Sequence, residues 1–417
     1  VVVSSRGPIE HYYDAKGRIA RRPSDGGVAT VLSAVADAVE TTWIASARTP
    51  ADRIVAKSGN SLRLNGGSRL RLIAPSEFAQ DLHNEFCNTL LWFLQHSLPD
   101  LLPGEELERQ AMTGWLQGYL PVNMDFAESL SAAIEDGHGA VMLHDYHLYA
   151  APLFIRCRHP QVYLQHFIHI PWPRPEAWEV LPRQITESIC RGLLANDSLV
   201  FQTEESVRNF LDTCAAFLPS LTIDAAAGSV QQRGRSTRVW SNPVSIDATA
   251  LEKQLAGAQL SQIAGRLAPA SGERTIMRVD RLDPSKNVDG GFAAYERLLE
   301  RHPEWHGRVR FLAFLVPSRT EIEAYREHER AVLAQIEAIN ARFGNDSWTP
   351  ISVSHEQNRT QALAAMTLYD VLLVNSRADG QNLVSKEGPL LNRKDGVLVL
   401  STRAGSYEEL REGAIAV

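Results

Sequence analysis

Two short stretches in the C-terminal half combine cations, carboxylates and turn residues in a way that suits a phosphorylated ligand. RLDPSK, from Arg281 to Lys286, follows the apolar run TIMRVD and precedes a helical pattern that begins near Asn287. Arginine offers a planar fork of donors and lysine a compact point charge, and beside a helix N-terminus both can bind diphosphate oxygens. The alternative is an ordinary basic turn that pairs with Asp283. The second stretch, ADGQNLVSKEGPLL from Ala378, follows the buried run DVLLVNS. Gly380 there lets backbone amides approach a ligand, and Asp379 and Glu387 supply carboxylates, the latter placed to accept hydrogen bonds from ribose hydroxyls. Asp379 can equally be a helix N-cap, and Glu387 a partner of Lys386 or Arg393. Both motifs lie in one half of the chain, each at a strand exit.

In the first half, HDYHL (His144 to Leu148) and FIHIPWP (Phe167 to Pro173) also follow apolar runs. Histidines beside an aspartate raise the question of a metal. His144 and Asp145 are adjacent, so their side chains diverge, and no HxxxH or HxH pairing is present, so no metal is expected. His169 reads either as a core histidine or, ahead of Pro171 and Pro173, as a residue facing a ligand. Near the start, SSRGP carries Arg6, and PSDGGVATVL places Gly26 and Gly27 before a helical pattern, a turn of the kind that cradles anions.

These residues need strands to carry them, and the chain supplies many. VVVSS, TTWIASA, LRLIAP, GAVMLHD, VYLQHFIHI, SLVFQT, RVWSNP, TIMRVD, RVRFLAFLV, ISVSH, DVLLVNS, VLVLST and GAIAV are short and rich in Val, Ile and Leu. Several are continuous rather than alternating, as suits parallel strands covered on both faces. Helical-period segments such as GVATVLSAVADAV and EESVRNFLDTCAAFL separate them, which predicts an α/β protein. A helical stretch from Ala248 to Leu267 after RVWSNPVSID marks a boundary near Ile246, giving domains 1–246 and 247–417. Each is large enough for a doubly wound sheet, and the expected site is the cleft between them, where strand C-termini open. The charged segment from Arg319 to Arg342 reads as one solvated helix.

Composition narrows the function classes. The 417 residues are 44% hydrophobic and 22% charged, which excludes a disordered or fibrous chain. The net charge of -7 opposes nonspecific binding to nucleic acid or anionic membranes. No apolar run approaches a bilayer span, VVVSSRGP is no signal or transit peptide, and the four cysteines lack disulfide or zinc spacing, so a cytoplasmic location is expected. The chain begins without Met and stops at the strand-like GAIAV, which suggests that terminal segments are missing.

Taken in order, the motifs resemble the trehalose-6-phosphate synthase family of retaining GT-B glycosyltransferases. The family's HDYHL is present verbatim, its HIPFP is similar to HIPWP, its RLDYSKG to RLDPSKN, its DGMNLVAKE to DGQNLVSKE, and PSRTEIEAY resembles a family segment that carries an arginine. The resemblance implies two Rossmann-like domains and transfer of a sugar, glucose by default, from a nucleotide diphosphate to a sugar-phosphate-like acceptor with retention. It implies that Arg281 and Lys286 hold the donor diphosphate, Glu387 the ribose, and Asp379, His169 and the amides of Gln381, Asn382 and Leu383 the donor sugar. The Gly26–Gly27 turn joins the donor side. Arg6 and Arg319 are assigned to the acceptor phosphate, and Trp92, Asp145 and His83 to the acceptor ring. No cofactor or metal is implied, and self-association is left open.

The departures bear on the acceptor and predict that glucose 6-phosphate is not the preferred one, or binds only weakly, because two aromatic positions of the family pattern are Ser46 and His83 here. The family's WxGW is WIAS here, with Trp43 kept and Ser46 in the second tryptophan's place, and His83 stands where an acceptor-side tyrosine is expected. Pro284, Gln381 and GPLLNRKDG also occur in the validoxylamine 7'-phosphate synthase branch, which joins cyclitols instead of sugars. Two alternatives therefore stand beside the first reading: a pseudo-glycosyltransferase that joins a nucleotide-activated cyclitol to an aminocyclitol phosphate, and a non-catalytic nucleotide-sugar or sugar-phosphate binding protein.

Overall fold

Each apolar run read from the sequence forms a strand, and the strands assemble into two large sheets and a hairpin. The computed structural model describes residues 1–24, 32, 39–59, 61–134, 139–232 and 234–417. The Gly26–Gly27 turn and most of the helix expected after it lie outside the described residues. Two units emerge: Val1–Gln95 with Pro99–Asn242, and His96–Leu98 with Pro243–Val417.

The first unit holds a ten-stranded sheet. Seven of its strands form a parallel block in the order Arg69–Ile73, Thr42–Ser46, Val2–Val3, Ala140–His144, Tyr163–Phe167, Ser198–Phe201 and Arg235–Ser241. Val2 pairs with Trp43 on one side and Met142 on the other, so strand order reverses between Val2–Val3 and Ala140–His144. Ligands of such sheets bind outside the strand C-termini at this switch point. Ser198–Phe201 is buried at every residue, which explains its unbroken apolar reading. Antiparallel strands cover both edges: Leu62–Arg63 at one, Ser229–Gln232 and Thr222–Asp224 at the other. Sequence periodicity overlooks these, and also the hairpin Ile9–Tyr13 with Ile19–Pro23, because short polar strands carry no apolar run.

The second unit is built on a six-stranded parallel sheet. Numbered in chain order, its strands Arg274–Arg281, Val309–Val316, Ile351–Ser354, Val371–Val374, Val397–Leu400 and Ala414–Ala416 lie in the order 3-2-1-4-5-6. This is the Rossmann order, and its switch point falls between Arg274–Arg281 and Val371–Val374. Met277, Leu372 and Leu398 pack with Leu363 and Met366 on one side, while Phe311 and Leu315 pack with Phe292 and Ile336 on the other. The stretch read as one helix from Ala248 is two, Ala248–Leu255 and Ala258–Leu267, broken at the extended Gly257. The helix expected from Arg319 starts four residues later, as Glu323–Phe343, because Arg319 takes a left-handed φ of 45° and Ile322 is extended.

Candidate active site

The RLDPSK turn leaves the first strand of the Rossmann order and the ADGQN segment follows the fourth, so the switch point brings together two motifs that lie about ninety residues apart. Their backbones are joined where Arg377 N–H donates to the Ser285 carbonyl at 2.8 Å. Pro284–Lys286 forms a single 3-10 turn capped by Asp283, whose Oδ1 accepts from the Ser285 amide at 3.1 Å and from Ser285 Oγ at 2.9 Å. Lys286 Nζ reaches the Asp379 carboxylate as an ion pair. Asp379 Oδ2 also accepts from Asn382 Nδ2 at 3.1 Å and from Ser376 Oγ at 3.4 Å. Burial pushes the Asp379 carboxyl up, yet Lys286, then His96 and the Asn382 hydrogen bond, outweigh it and hold the group below its ordinary value.

Asp379 is therefore not a helix N-cap. The helix begins at Val384, and Asn382, at a left-handed φ of 77°, supplies the oxygen that accepts from Ser385 N–H at 3.1 Å. Glu387 falls in the first turn and accepts from Arg359 Nη2 at 2.8 Å; neither Lys386 nor Arg393 is this partner. Lys386 instead donates to Glu409 and to the Val244 carbonyl. Gly388 lies where a Cβ would stand 2.2 Å from Leu372, so the GPLL departure matches close packing of this helix on the sheet.

Asp283 has no solvent exposure and holds two guanidiniums. Arg319 Nη1 donates to its Oδ2 at 2.8 Å and to Tyr325 Oη at 2.9 Å, and Arg281 approaches the same carboxylate at 3.7 Å. Burial raises this carboxyl, but Arg319, Arg281 and His96 together draw it far below the ordinary range. Arg319 is thus a fixed fork ahead of its helix, not the first residue of a solvated one.

In the first unit the switch point carries Arg6 and Asp145. Arg6 is exposed and follows Val2–Val3, and its carbonyl accepts from Ser4 Oγ, which in turn accepts from the buried Trp43 indole at 2.8 Å. Asp145 leaves Ala140–His144 at φ 72°, pinned by its N–H to the Phe167 carbonyl at 2.8 Å and by His169 N–H to its Oδ1 at 3.2 Å. Adjacent parallel strands bring together imidazoles that sequence spacing kept apart. Gln202 donates to His169 Nδ1 at 3.3 Å, which leaves the ring proton on Nε2 to be donated to His144 Nδ1 at 3.1 Å. Burial, then the neighbouring His166, draws His169 down to about 3, so it is neutral near pH 7. Among the described residues no group of three or more His, Cys, Asp or Glu is arranged to hold a metal.

Two acceptor-side positions of the sequence reading are held by the core. His83 is buried, its Nε2 paired with the His147 carbonyl at 3.1 Å and its ring stacked on Tyr119. Ser46 is also buried and donates to Gln80 Oε1 at 2.7 Å. Both are interior positions, because the strand and helix carrying them turn these faces into the core. Trp92 is largely buried beside Tyr146, with ring centroids 5.6 Å apart.

With this geometry in hand, comparison with known proteins is specific. The family model for glycosyltransferase family 20 matches residues 1–417. The chain is 31% identical to the bifunctional trehalose-6-phosphate synthase/phosphatase of Thermoproteus tenax, across all of this chain and 56% of that protein, so it spans little more than half of that relative. It is 31% identical to the UDP-forming alpha,alpha-trehalose-phosphate synthase of Schizosaccharomyces pombe, across all of this chain and 80% of the other. It is 28% identical to the validamine 7-phosphate valienyltransferase of Streptomyces hygroscopicus, over 93% and 77% of the two chains. Among solved structures, an E. coli trehalose-6-phosphate structure bound with UDP-2-fluoro glucose is similar at a TM-score of 0.83 and 30% identity, covering 100% of this chain and 87% of that one. A Burkholderia xenovorans UDP-forming synthase in complex with glucose-6-phosphate is similar at a TM-score of 0.82 and 27% identity, covering 100% and 88%.

Proposed function

Because the chain belongs to glycosyltransferase family 20 along its whole length, we propose that it transfers glucose from UDP-glucose to the hydroxyl of a sugar phosphate, with glucose 6-phosphate the first acceptor to test. The observation that carries this reading is the placement of Arg281 at the end of the first strand of the Rossmann order, Lys286 just beyond it and Asp379 beyond the fourth. Arg281 and Lys286 bind the leaving diphosphate and stabilise the charge that builds on it as the glycosidic bond breaks. Asp379, His169 and the amides of Gln381, Asn382 and Leu383 orient the donor sugar, and Glu387 the ribose. A hydrogen bond from neutral His169 to a sugar hydroxyl would replace its bond to Gln202 or to His144. Arg6 binds the acceptor phosphate, Arg319 is a second guanidinium suited to phosphate, and Trp92 and Asp145 border the acceptor ring.

On this reading residues 1–246 serve the acceptor and 247–417 the nucleotide sugar. Transfer retains the anomeric configuration, uses no metal or cofactor, and takes place in the cytoplasm. A second reading rests on the resemblance of Pro284, Gln381 and GPLLNRKDG to the validoxylamine 7'-phosphate synthase branch, beside the 28% identity to the Streptomyces valienyltransferase. There the donor is a nucleotide-activated cyclitol and the acceptor an aminocyclitol phosphate.

The test is a substrate matrix read by released nucleoside diphosphate, with NMR assignment of the product's anomeric configuration. UDP-glucose with glucose 6-phosphate should show the highest kcat/KM. A preference for the cyclitol pair would move the assignment to the second reading, and equal use of phosphorylated and unphosphorylated acceptors would remove the role given to Arg6.

A further inference from the structure

Lys286 projects from a turn one residue before a left-handed Asn287, at φ 53°, a backbone that needs support to stay in place. Beneath that turn lies Arg278, an arginine with no solvent exposure in the middle of the Arg274–Arg281 strand. Its Nη2 donates to the Lys286 carbonyl at 3.1 Å and its Nη1 to the Val288 carbonyl at 3.2 Å, so one guanidinium grips the main chain on both sides of Asn287. Nε and Nη2 donate to Asp280 Oδ2 at 3.2 and 2.9 Å, two residues along on the same strand face. The Phe292 ring lies 5.9 Å from the guanidinium carbon. A reciprocal pair completes the support: Asn287 Nδ2 donates to the Asn375 carbonyl and Asn375 Nδ2 to the Asn287 carbonyl, each at 3.1 Å.

We propose that Arg278 is a positioning residue for donor binding: by holding the Lys286 and Val288 carbonyls it sets where the Lys286 ammonium stands. A buried arginine is costly unless its donors are satisfied, and four hydrogen bonds engage this one, two of them to the turn that carries Lys286. Asp280 balances its charge through two hydrogen bonds and feels the Lys286 ammonium only as a nearby charge. Space around it is already filled, since a Cβ on Gly291 would stand 2.4 Å from Arg278 Nη1. Gly291 therefore acts as the gap that admits the guanidinium.

This proposal rests on the reading of Lys286 as a diphosphate ligand, and the experiment separates the two. UDP binding is measured by calorimetry on the full chain, with thermal melts alongside, for Arg278→Met, Asp280→Asn, the double variant, Gly291→Ala and Lys286→Ala. Asp280→Asn should bind UDP within about twofold of wild type, while Arg278→Met and the double variant should weaken binding about 10- to 100-fold, the cost of one misplaced charge-assisted hydrogen bond. The double variant leaves no buried unpaired charge, so a binding defect that persists when its melt recovers separates positioning from loss of stability. Should Arg278→Met fail to fold, Gly291→Ala carries the test, because it keeps every charge and presses hardest on the guanidinium, 2.4 Å from the added Cβ against 3.3 and 3.4 Å for Leu373 and Asn375; it too should weaken UDP binding. Wild-type binding in a folded Arg278→Met or in Gly291→Ala overturns the proposal. So does recovery of UDP binding in the double variant, or an equal loss in Asp280→Asn, either of which would assign the effect to the ion pair. Wild-type binding by Lys286→Ala would overturn the diphosphate reading itself, and the positioning role with it.

Discussion

Lys286 and Asp379, 93 residues apart in the chain, form an ion pair in which both side chains are about seven-eighths buried. On the proposed reading the lysine serves the diphosphate and the aspartate the sugar, yet each is the other's partner here. A diphosphate that engages Lys286 therefore competes with this carboxylate for the same ammonium. Asp379→Asn removes the competing charge and the donor-sugar contact together. Its expected signature is split: UDP binds as tightly as in wild type or tighter by calorimetry, while turnover with UDP-glucose falls.

Lys286→Ala and Arg281→Ala should each lower kcat/KM for the donor by about 10²–10³, the usual cost of removing one donor to a developing anion. Circular dichroism should show both variants folded. Wild-type kcat/KM in either would remove that residue from the donor site.

Arg319→Met should cost about 3–5 kcal/mol in chemical denaturation, because it strips the closest cation from a carboxylate that has no solvent exposure. Adding Asp283→Asn should restore part of that loss, since it removes the stranded charge. Independent, additive effects of the two substitutions would show that the pair is not coupled.

Acid should destabilise the first unit before carboxylates titrate. Burial holds His83 and His166 down to about 4 and His169 to about 3, and burial with neighbouring imidazoles keeps His144 well below its usual value. The folded protein keeps these rings neutral while the unfolded chain takes up protons below about pH 6.5, so stability is present above that pH and lost as pH falls towards 4. Between pH 6 and 5 each ring contributes a loss of at most about 1.4 kcal/mol per pH unit, the limit reached when the unfolded ring is fully protonated. Denaturant titrations across pH 7 to 5 should show this fall, and a flat profile would count against neutral burial of the four rings.

Activity should survive EDTA, because two cationic side chains supply the electrostatic stabilisation a divalent ion would otherwise give. Loss of turnover in chelator that Mg²⁺ or Mn²⁺ restores would refute metal-free catalysis.

Sequence by itself determined the apolar strands, the α/β class and the motifs at strand exits, because continuous Val, Ile and Leu runs and the turns that end them are local properties, while the short polar edge strands and the hairpin escaped it. Its motifs around Arg281, Lys286, Asp379 and Glu387 also carried the resemblance to the glycosyltransferase family that matches the whole chain. Tertiary structure alone decided who meets whom. Sheet order put the first and fourth strands side by side and so delivered Asp379 to Lys286, and helix packing paired Glu387 with Arg359 in place of its sequence neighbours. Parallel strands brought His144 against His169 despite a spacing that suggested no contact. Arg278 lay inside TIMRVD as one of two charges in an otherwise apolar run, with Asp280 the other. Its neighbours in the chain could not show that it points inward beneath the turn, since that depends on a helix whose glycine leaves room for it. A partner many residues away is chosen by which faces the packed sheet turns towards one another, and no local pattern of residues encodes that choice.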